Sequence, residues 1–263
     1  MKTRIKWLVV ILCITFSYGQ SQDFEGMAYY KSHVKVNMET NGDNEMSSSD
    51  RQVQEELSKL LQRDYILTFS NAESLYKENE KVKVSKPQGT NMVVMDNNPI
   101  GVLYKNMKES RFVREVEFMG KRFLVKDSLD LPKWTLGKDK KKIGEYTCYK
   151  ATLEMEHSTI EKKEGKYRSV LKNKNIVAWY TLEIPITNGP SDFEGLPGLI
   201  LEVNDGKTTL VCNKIILNPQ KGIDIKEPTR GKQITQDGFE AMKVKKNKQR
   251  LDSIQGFSED HNH

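Results

Sequence analysis

The sequence predicts a mainly β protein of the α+β class, with a curved antiparallel sheet or partial barrel and one helix packed near each end. Short segments alternate apolar and polar residues with a period of two, which is typical of half-buried strands. Asn, Gly, Pro and charged residues separate these segments, as expected for turns. Apolar residues at helical spacing occur near the two ends of the chain.

Period-two segments extend as far as residue 217. In the first, Tyr30, Ser32 and Val34 share one face. The predicted strands are Gly26–Val36, Tyr65–Ser70, Ser74–Lys77, Gly101–Tyr104, Phe112–Phe118, Phe123–Val125, a strand beginning at Lys133–Leu136, Tyr146–Met155, Ile176–Ile184, Leu196–Val203 and Thr208–Leu217. Asp205-Gly206 indicates a tight hairpin turn. We expect a charged turn over Lys138–Lys142 and a hairpin tip over Glu161–Lys174.

Two helices complete the predicted fold. Val53, Leu57, Leu60 and Leu61 recur at helical spacing behind Asp50, a suitable N-cap. Near the other end, Thr235 is a second N-cap candidate, and Ile234 and Phe239 occupy the positions of a hydrophobic staple. That helix should run from about Gln236 into Lys243 or beyond.

The N-terminus has the pattern of a secretory signal peptide. Lys2, Arg4 and Lys6 precede a short apolar run, and small residues at Ser17 and Gly19 suit signal peptidase. The alternative is a buried N-terminal strand or helix. The predicted organisation is a signal peptide over 1–19, one β-rich domain over 20–226, a helical extension over 227–254 and a flexible acidic and histidine-containing tail over 255–263. We expect a periplasmic or secreted protein without a transmembrane segment in the mature chain.

Export changes the charge balance. The formal net charge of +6 includes three basic residues of the leader, so 39 Lys and Arg remain against 36 Asp and Glu. A mature charge near +3 does not predict a nucleic-acid partner, which needs a concentrated basic face.

Two cysteines remain, Cys148 and Cys212, and an oxidising compartment favours a disulfide between them, with two free thiols as the alternative. The alternation places Cys148 on the more polar face of its strand, away from the core.

The segment from Asn188 to Ile200 is the most distinctive in the chain. Its three glycines and two prolines must encode a specific backbone path, either a binding loop or a bulged crossover. Gly195-Leu196-Pro197-Gly198-Leu199-Ile200 resembles the signature of the GLPGLI family of exported proteins of Gram-negative bacteria. The flanking runs Ala178–Thr181, Ile184–Ile186, Leu201–Val203 and Gly144–Ala151 resemble that family as well. The resemblance implies export and the type of domain; it implies no reaction and no catalytic residue.

Several residues are candidates for a site. Trp179 and Tyr180 lie on opposite faces of their strand, and whichever faces outward could form a mixed polar and aromatic pocket with Asp192, Phe193 and Glu194. His261 and His263, beside carboxylates, suit a copper or zinc ion, although a solvated acidic and histidine-containing tail is the more common explanation of such a sequence. We find neither a Gly-x-Ser-x-Gly elbow nor a His-Glu-x-x-His pair, and no cofactor is indicated.

These observations favour a binding protein for a small ligand, a peptide or a cell-envelope partner. A metal-handling protein that uses the histidine tail is the second hypothesis. A hydrolase with a pair of carboxylates is the third.

Overall fold

A computed structural model describes residues 24–36, 47–79, 101–163 and 166–260. The predicted signal peptide, His261 and His263 lie outside these residues. The strands are β1 (Gly26–Val34), β2 (Asp64–Phe69), β3 (Glu73–Glu78), β4 (Val102–Asn106), β5 (Arg111–Phe118), β6 (Lys121–Ser128), β7 (Thr135–Ile143), β8 (Tyr146–Lys163), β9 (Lys166–Thr181), β10 (Leu199–Asn204), β11 (Thr208–Leu217) and β12 (Lys232–Ile234). The helices are α1 (Ser48–Leu60) and α2 (Gln236–Asp260).

All twelve described strands form one sheet, in the order β12-β6-β5-β4-β3-β2-β1-β11-β10-β9-β8-β7. Neighbouring strands are antiparallel except β12, which runs parallel to β6. The sheet is open, since β12 and β7 are its two edges. This architecture confirms the predicted fold class of a curved, largely antiparallel sheet with helices. Neither helix in the described part of the chain is long and apolar enough to cross a membrane.

The sheet curves around one large hydrophobic cluster, and we call the face that carries this cluster the inner face. Tyr30, Leu67 and Leu103 enter the cluster from one half of the sheet, and Ala178 and Leu210 enter it from the other half. Helix α2 contacts β6 near one edge and β8 and β9 near the other. Because seven strands separate β6 from β9, these contacts require strong curvature.

The N-cap of helix α1 lies three residues before the predicted N-cap, Asp50. Ser47 is the N-cap, its hydroxyl accepts a hydrogen bond from the Asp50 backbone N–H, and the Asp50 carboxylate accepts one from the Ser47 N–H. Asp50 therefore occupies the N3 position of a capping box, and the prediction of Asp50 as N-cap was wrong.

Two segments predicted as turns belong to strands. Lys138–Lys142 lies within β7, where an irregularity in pairing occurs between Leu136 and Lys140. β7 is an edge strand whose lysine side chains are largely exposed, and charged residues are well tolerated at such an edge. Hairpin β8–β9 likewise continues through most of Glu161–Lys174, with Lys163 pairing with Lys166. Helix α2 begins at Gln236 as predicted and continues to Asp260, into the predicted tail.

Residues 182–198, which we call the Gly-Pro loop, connect β9 to β10. The loop ends at Gly198, immediately before Leu199 pairs with Thr181. A Cβ atom on residue 198 would lie 1.9 Å from the Thr181 carbonyl oxygen and 2.7 Å from its carbonyl carbon. Only glycine therefore allows the two backbones to approach this closely.

We expect Gly198→Ala to lower the free energy of unfolding by at least about 3 kcal/mol, because two backbone segments must separate. Gly144→Ala is the control: unlike residue 198, residue 144 has a positive φ, of 58°, and an added Cβ meets nothing within 4 Å. The control should lower the free energy of unfolding by only about 1–2 kcal/mol, because alanine is strained in the left-handed conformation. Urea unfolding measures both, and equal losses would contradict the proposed close approach.

Candidate ligand-binding site

The Gly-Pro loop follows a fixed path across the inner face. The backbone N–H groups of Gly195, Leu199 and Ile200 donate hydrogen bonds to the carbonyl oxygens of Thr187 (3.1 Å), Ile184 (3.0 Å) and Asn188 (3.1 Å). The apolar loop residues Ile184, Ile186 and Leu196 are buried in the large cluster. Ser191 and Gly195 adopt positive φ angles of 55° and 86°, which shape the tip of the loop. The loop is therefore an ordered part of the core.

A buried ion pair joins the loop to strand β4. The Lys105 Nζ atom donates hydrogen bonds to the Glu194 carboxylate and to the Ser191 carbonyl oxygen, the latter at 2.7 Å. The two side chains are 2% and 5% exposed. Lys105 faces inward because it lies two residues from Leu103, a core residue of the same strand. Four strands separate β4 from β10 in the sheet, so this contact spans the inner face.

Burial controls the ionisation of this pair. Burial raises the pKa of the Glu194 carboxyl above its usual value, although the Lys105 ammonium pulls it down. Protonation of Glu194 is thus more favourable in the folded protein than in the unfolded chain. A buried charge is tolerated only when its partner is in place, because neither ion can recover its hydration.

A second ion pair lies at the tip of the loop. The Arg114 Nη2 atom, from β5, donates to an oxygen of the Asp192 carboxylate. The two partners differ in exposure: the Arg114 side chain is 11% exposed and that of Asp192 is 59% exposed. The arginine therefore belongs to the inner face, whereas the aspartate is open to solvent.

Phe193 and Trp134 form an aromatic pair beside these charges. Their ring centroids lie 6.4 Å apart at an interplanar angle of 57°, and both side chains remain partly exposed. The Trp134 indole N–H donates to the Glu194 carbonyl oxygen at 2.8 Å. A Cβ atom on Gly195 would lie 3.5 Å from the Leu131 Cβ atom, so Leu131 borders the same area. We call Leu131, Pro132, Trp134 and Phe193 the aromatic shelf.

The structure separates Trp179 and Tyr180 as predicted. Tyr180 is buried in the large cluster, and its ring centroid lies 6.0 Å from that of Tyr149. Trp179 is the outward aromatic; the Lys141 Nζ atom lies 4.5 Å from its ring centroid and 2.7 Å from Glu202. Trp179 thus contacts a Lys–Glu pair on the outer face, while Asp192, Phe193 and Glu194 lie with Trp134 at the loop.

Both cysteines are buried free thiols in this structure. Cys148 is fully buried opposite Thr181, so the prediction that it lies away from the core was wrong; the sheet is covered on both faces there. Burial raises the pKa of Cys148 to about 11 and that of Cys212 to about 12. Strands β9 and β10 lie between the two in the sheet, and Cys148 is among the groups that raise the pKa of Cys212, so the two thiols lie near each other without a bond between them. The disulfide stays a prediction from the sequence.

The carboxylates of the loop are already engaged. Glu194 pairs with Lys105 and Asp192 pairs with Arg114, so each of the two carboxylates already takes part in an ion pair. Within the described ranges, no cluster of three or more His, Cys, Asp or Glu side chains could hold a metal ion. The tip of the loop presents an arginine, an exposed carboxylate and an aromatic surface, which are groups that could contact a ligand.

Sequence reasoning missed Lys105, Arg114 and Trp134. The alternation in β4 carried a signal for Lys105, because it shares a face with apolar Leu103. Arg114 shares a face with apolar Phe112 and Val116 in the same way, but β5 buries residues on both faces, so the signal in its sequence is weaker. Trp134 precedes β7 and reaches the site only through tertiary folding.

A comparison with protein families gives a match over the part of the chain that contains the Gly-Pro loop. Residues 134–202 match a family model described as "Protein of unknown function (Porph_ging)". The matched residues include the Gly-Pro loop and Trp134, whereas Lys105 and Arg114 lie outside the Porph_ging match. No curated protein matches the chain.

Two solved structures of PNGF-II, in space groups C2 and P21, resemble the fold. They are 12% and 13% identical to this chain, each with a TM-score of 0.48, and cover 85% and 86% of it. The chain spans about a third of those structures, 33% and 34% of their length. A similarity of this size carries no activity from PNGF-II to this protein.

We expect Lys105→Met to lower the free energy of unfolding at pH 7 by about 3–5 kcal/mol, because Glu194 loses its buried partner. This loss of unfolding free energy, relative to the native protein, should become smaller as the pH falls towards about 4, near the pKa of glutamate in unfolded chains. The direction follows from the raised pKa: proton uptake by Glu194 favours the folded state, and that contribution is lost as the pH rises through the folded pKa.

The neutral double variant Lys105→Met/Glu194→Gln is the control. Its deficit relative to the native protein should be smaller than that of Lys105→Met at pH 7. Urea unfolding between pH 4.5 and 7 provides the comparison. A Lys105→Met deficit that stays constant over this range would show that the pair is not a buried ion pair.

Proposed function

We propose that this protein is an exported binding protein that holds a small ligand, or the end of a peptide, on the aromatic shelf. The observation that carries the proposal is the exposure of this surface, which combines Phe193 of the Gly-Pro loop with Leu131, Pro132 and Trp134 of the segment before β7. Leu131 is 55% exposed, and Phe193 and Trp134 remain partly exposed although the loop beneath them is buried. Aromatic and apolar side chains beside a few fixed polar groups are typical of ligand sites.

The rigidity of the loop supports binding. Lys105 holds Ser191 and Glu194 on either side of Asp192 and Phe193, and Trp134 donates to the Glu194 backbone. A ligand that contacts Phe193 therefore meets a surface already in position. Such a surface loses little conformational entropy on binding, which increases the affinity obtained from each contact.

Export forms part of the proposal. The basic and apolar leader over residues 1–19 and the GLPGLI-like motif at Gly195–Ile200 support it. A periplasmic or secreted location would expose the shelf to small molecules, peptides or partners of the cell envelope.

The neutral compound N-acetylphenylalaninamide provides a direct test, because its ring matches the shelf and it carries no charge. In NMR titrations of the labelled protein, we expect shifts of the Trp134 indole and Gly195 amide signals. Phe193→Ala should weaken this binding at least about fivefold, since one aromatic contact contributes about 1 kcal/mol or more.

Leu171→Ala provides the matched control. Leu171 is 70% exposed on hairpin β8–β9, outside the aromatic shelf, and its loss should leave the titration unchanged. Unfolding curves should show both variants folded. If the native protein gives no shifts at the shelf, or if Phe193→Ala titrates like the native protein, the proposed site is wrong.

A further inference from the structure

A row of inner-face side chains ends in two buried polar atoms beside the tip of the loop. Tyr76 lies opposite Leu103, which in turn lies opposite Arg114, so the three side chains cross β3, β4 and β5 in one row. Tyr76 is 1% exposed and Arg114 is 9% exposed. Among the described residues, neither the Tyr76 hydroxyl nor the Arg114 Nε atom has a hydrogen-bond partner. Buried donors without partners are rare and costly, so this pair requires an explanation.

Asp192 lies beside Arg114 but accepts a hydrogen bond from neither of the two unpaired donors. Its carboxylate accepts from the Arg114 Nη2 atom and leaves the Nε atom unpaired. Burial raises the pKa of the Tyr76 hydroxyl well above its usual value, and Asp192 is among the charges that raise it further. The Asp192 carboxylate therefore contacts Arg114 and acts electrostatically on the Tyr76 hydroxyl. Because its side chain is 59% exposed, water competes for it and the ion pair is weakly held.

We infer that Arg114 and Tyr76 receive a carboxylate of the ligand, and that Asp192 occupies this position when no ligand is bound. The geometry of the guanidinium supports this assignment. An arginine binds a carboxylate side-on through Nε and one Nη atom, forming two parallel hydrogen bonds. An incoming carboxylate would thus engage the Nε donor that Asp192 leaves unused, and it would bring an acceptor to the Tyr76 hydroxyl.

The displacement needs no movement of the loop backbone. Lys105 binds the Ser191 carbonyl oxygen and the Glu194 carboxylate on either side of the tip. Asp192 can therefore turn its exposed side chain into solvent while the loop keeps its path. Phe193, the next residue, remains on the shelf.

The ligand class follows from these neighbours and rests on the proposed function. Arg114 contacts Asp192, and the next residue of the loop, Phe193, forms the aromatic pair with Trp134. The site therefore fits a small molecule or peptide end in which a carboxylate lies next to an aromatic or cyclic apolar group.

The test compares N-acetylphenylalanine with its neutral amide in NMR titrations of the purified protein. We expect the acid to bind at least about tenfold more tightly than the amide, because charge-assisted hydrogen bonds replace neutral contacts. Arg114→Gln should remove this preference, so that the variant binds the acid and the amide with similar affinities. Tyr76→Phe deletes only the unpaired hydroxyl and should lower the affinity for the acid about threefold. It provides a second test if Arg114→Gln fails to fold.

Asp192→Asn gives the decisive result. Removal of the internal competitor should increase the affinity for the acid, relative to that for the amide, about fivefold. A purely structural Asp192 would instead give unchanged or weaker binding of the acid, which would overturn the inference. Equal affinities of the native protein for acid and amide would also overturn it while leaving the shelf intact, whereas failure of both compounds to bind would remove the proposed function as well.

Discussion

The buried Lys105–Glu194 ion pair is the interaction on which the geometry of the site depends. It joins β4 to a loop whose flanking strands lie on the far side of four other strands, so it closes the inner face of an otherwise open sheet. Replacing such a pair with apolar residues often costs no stability, whereas removing one partner costs several kcal/mol. We interpret the pair as a device that fixes where the loop lies, because an apolar contact would tolerate more sliding.

The composition of the loop is consistent with this role. Gly198 permits the close approach to Thr181 that starts β10, and Gly195 turns the chain back so that its N–H reaches Thr187. The Ile200 carbonyl oxygen accepts a hydrogen bond from the buried Tyr30 hydroxyl at 2.7 Å. Core packing, backbone hydrogen bonds and the ion pair therefore hold one conformation, which leaves the tip at Asp192 and Phe193 as the part available for recognition.

The sequence predicted the fold more fully than the site, for identifiable physical reasons. Alternation was informative where one face is buried, as in β1, and failed at Cys148, where both faces are covered. Lysines of β7 suggested a turn because an exposed edge strand and a charged turn have the same composition. Asp192, Phe193 and Glu194 were found from their unusual loop, but their partners Lys105 and Arg114 are remote in sequence and contact them only through the curvature of the sheet.

Native-state hydrogen exchange at the loop amides tests the central claim most directly. If the ion pair and the core fix the Gly-Pro loop, the amides of Gly195, Leu199 and Ile200 should exchange only through openings nearly as costly as global unfolding. Their protection should then approach that of core amides in β1 and β9. Exchange at rates typical of surface loops, with the sheet fully protected, would contradict the account, because the tip would then have no fixed position from which to recognise a ligand.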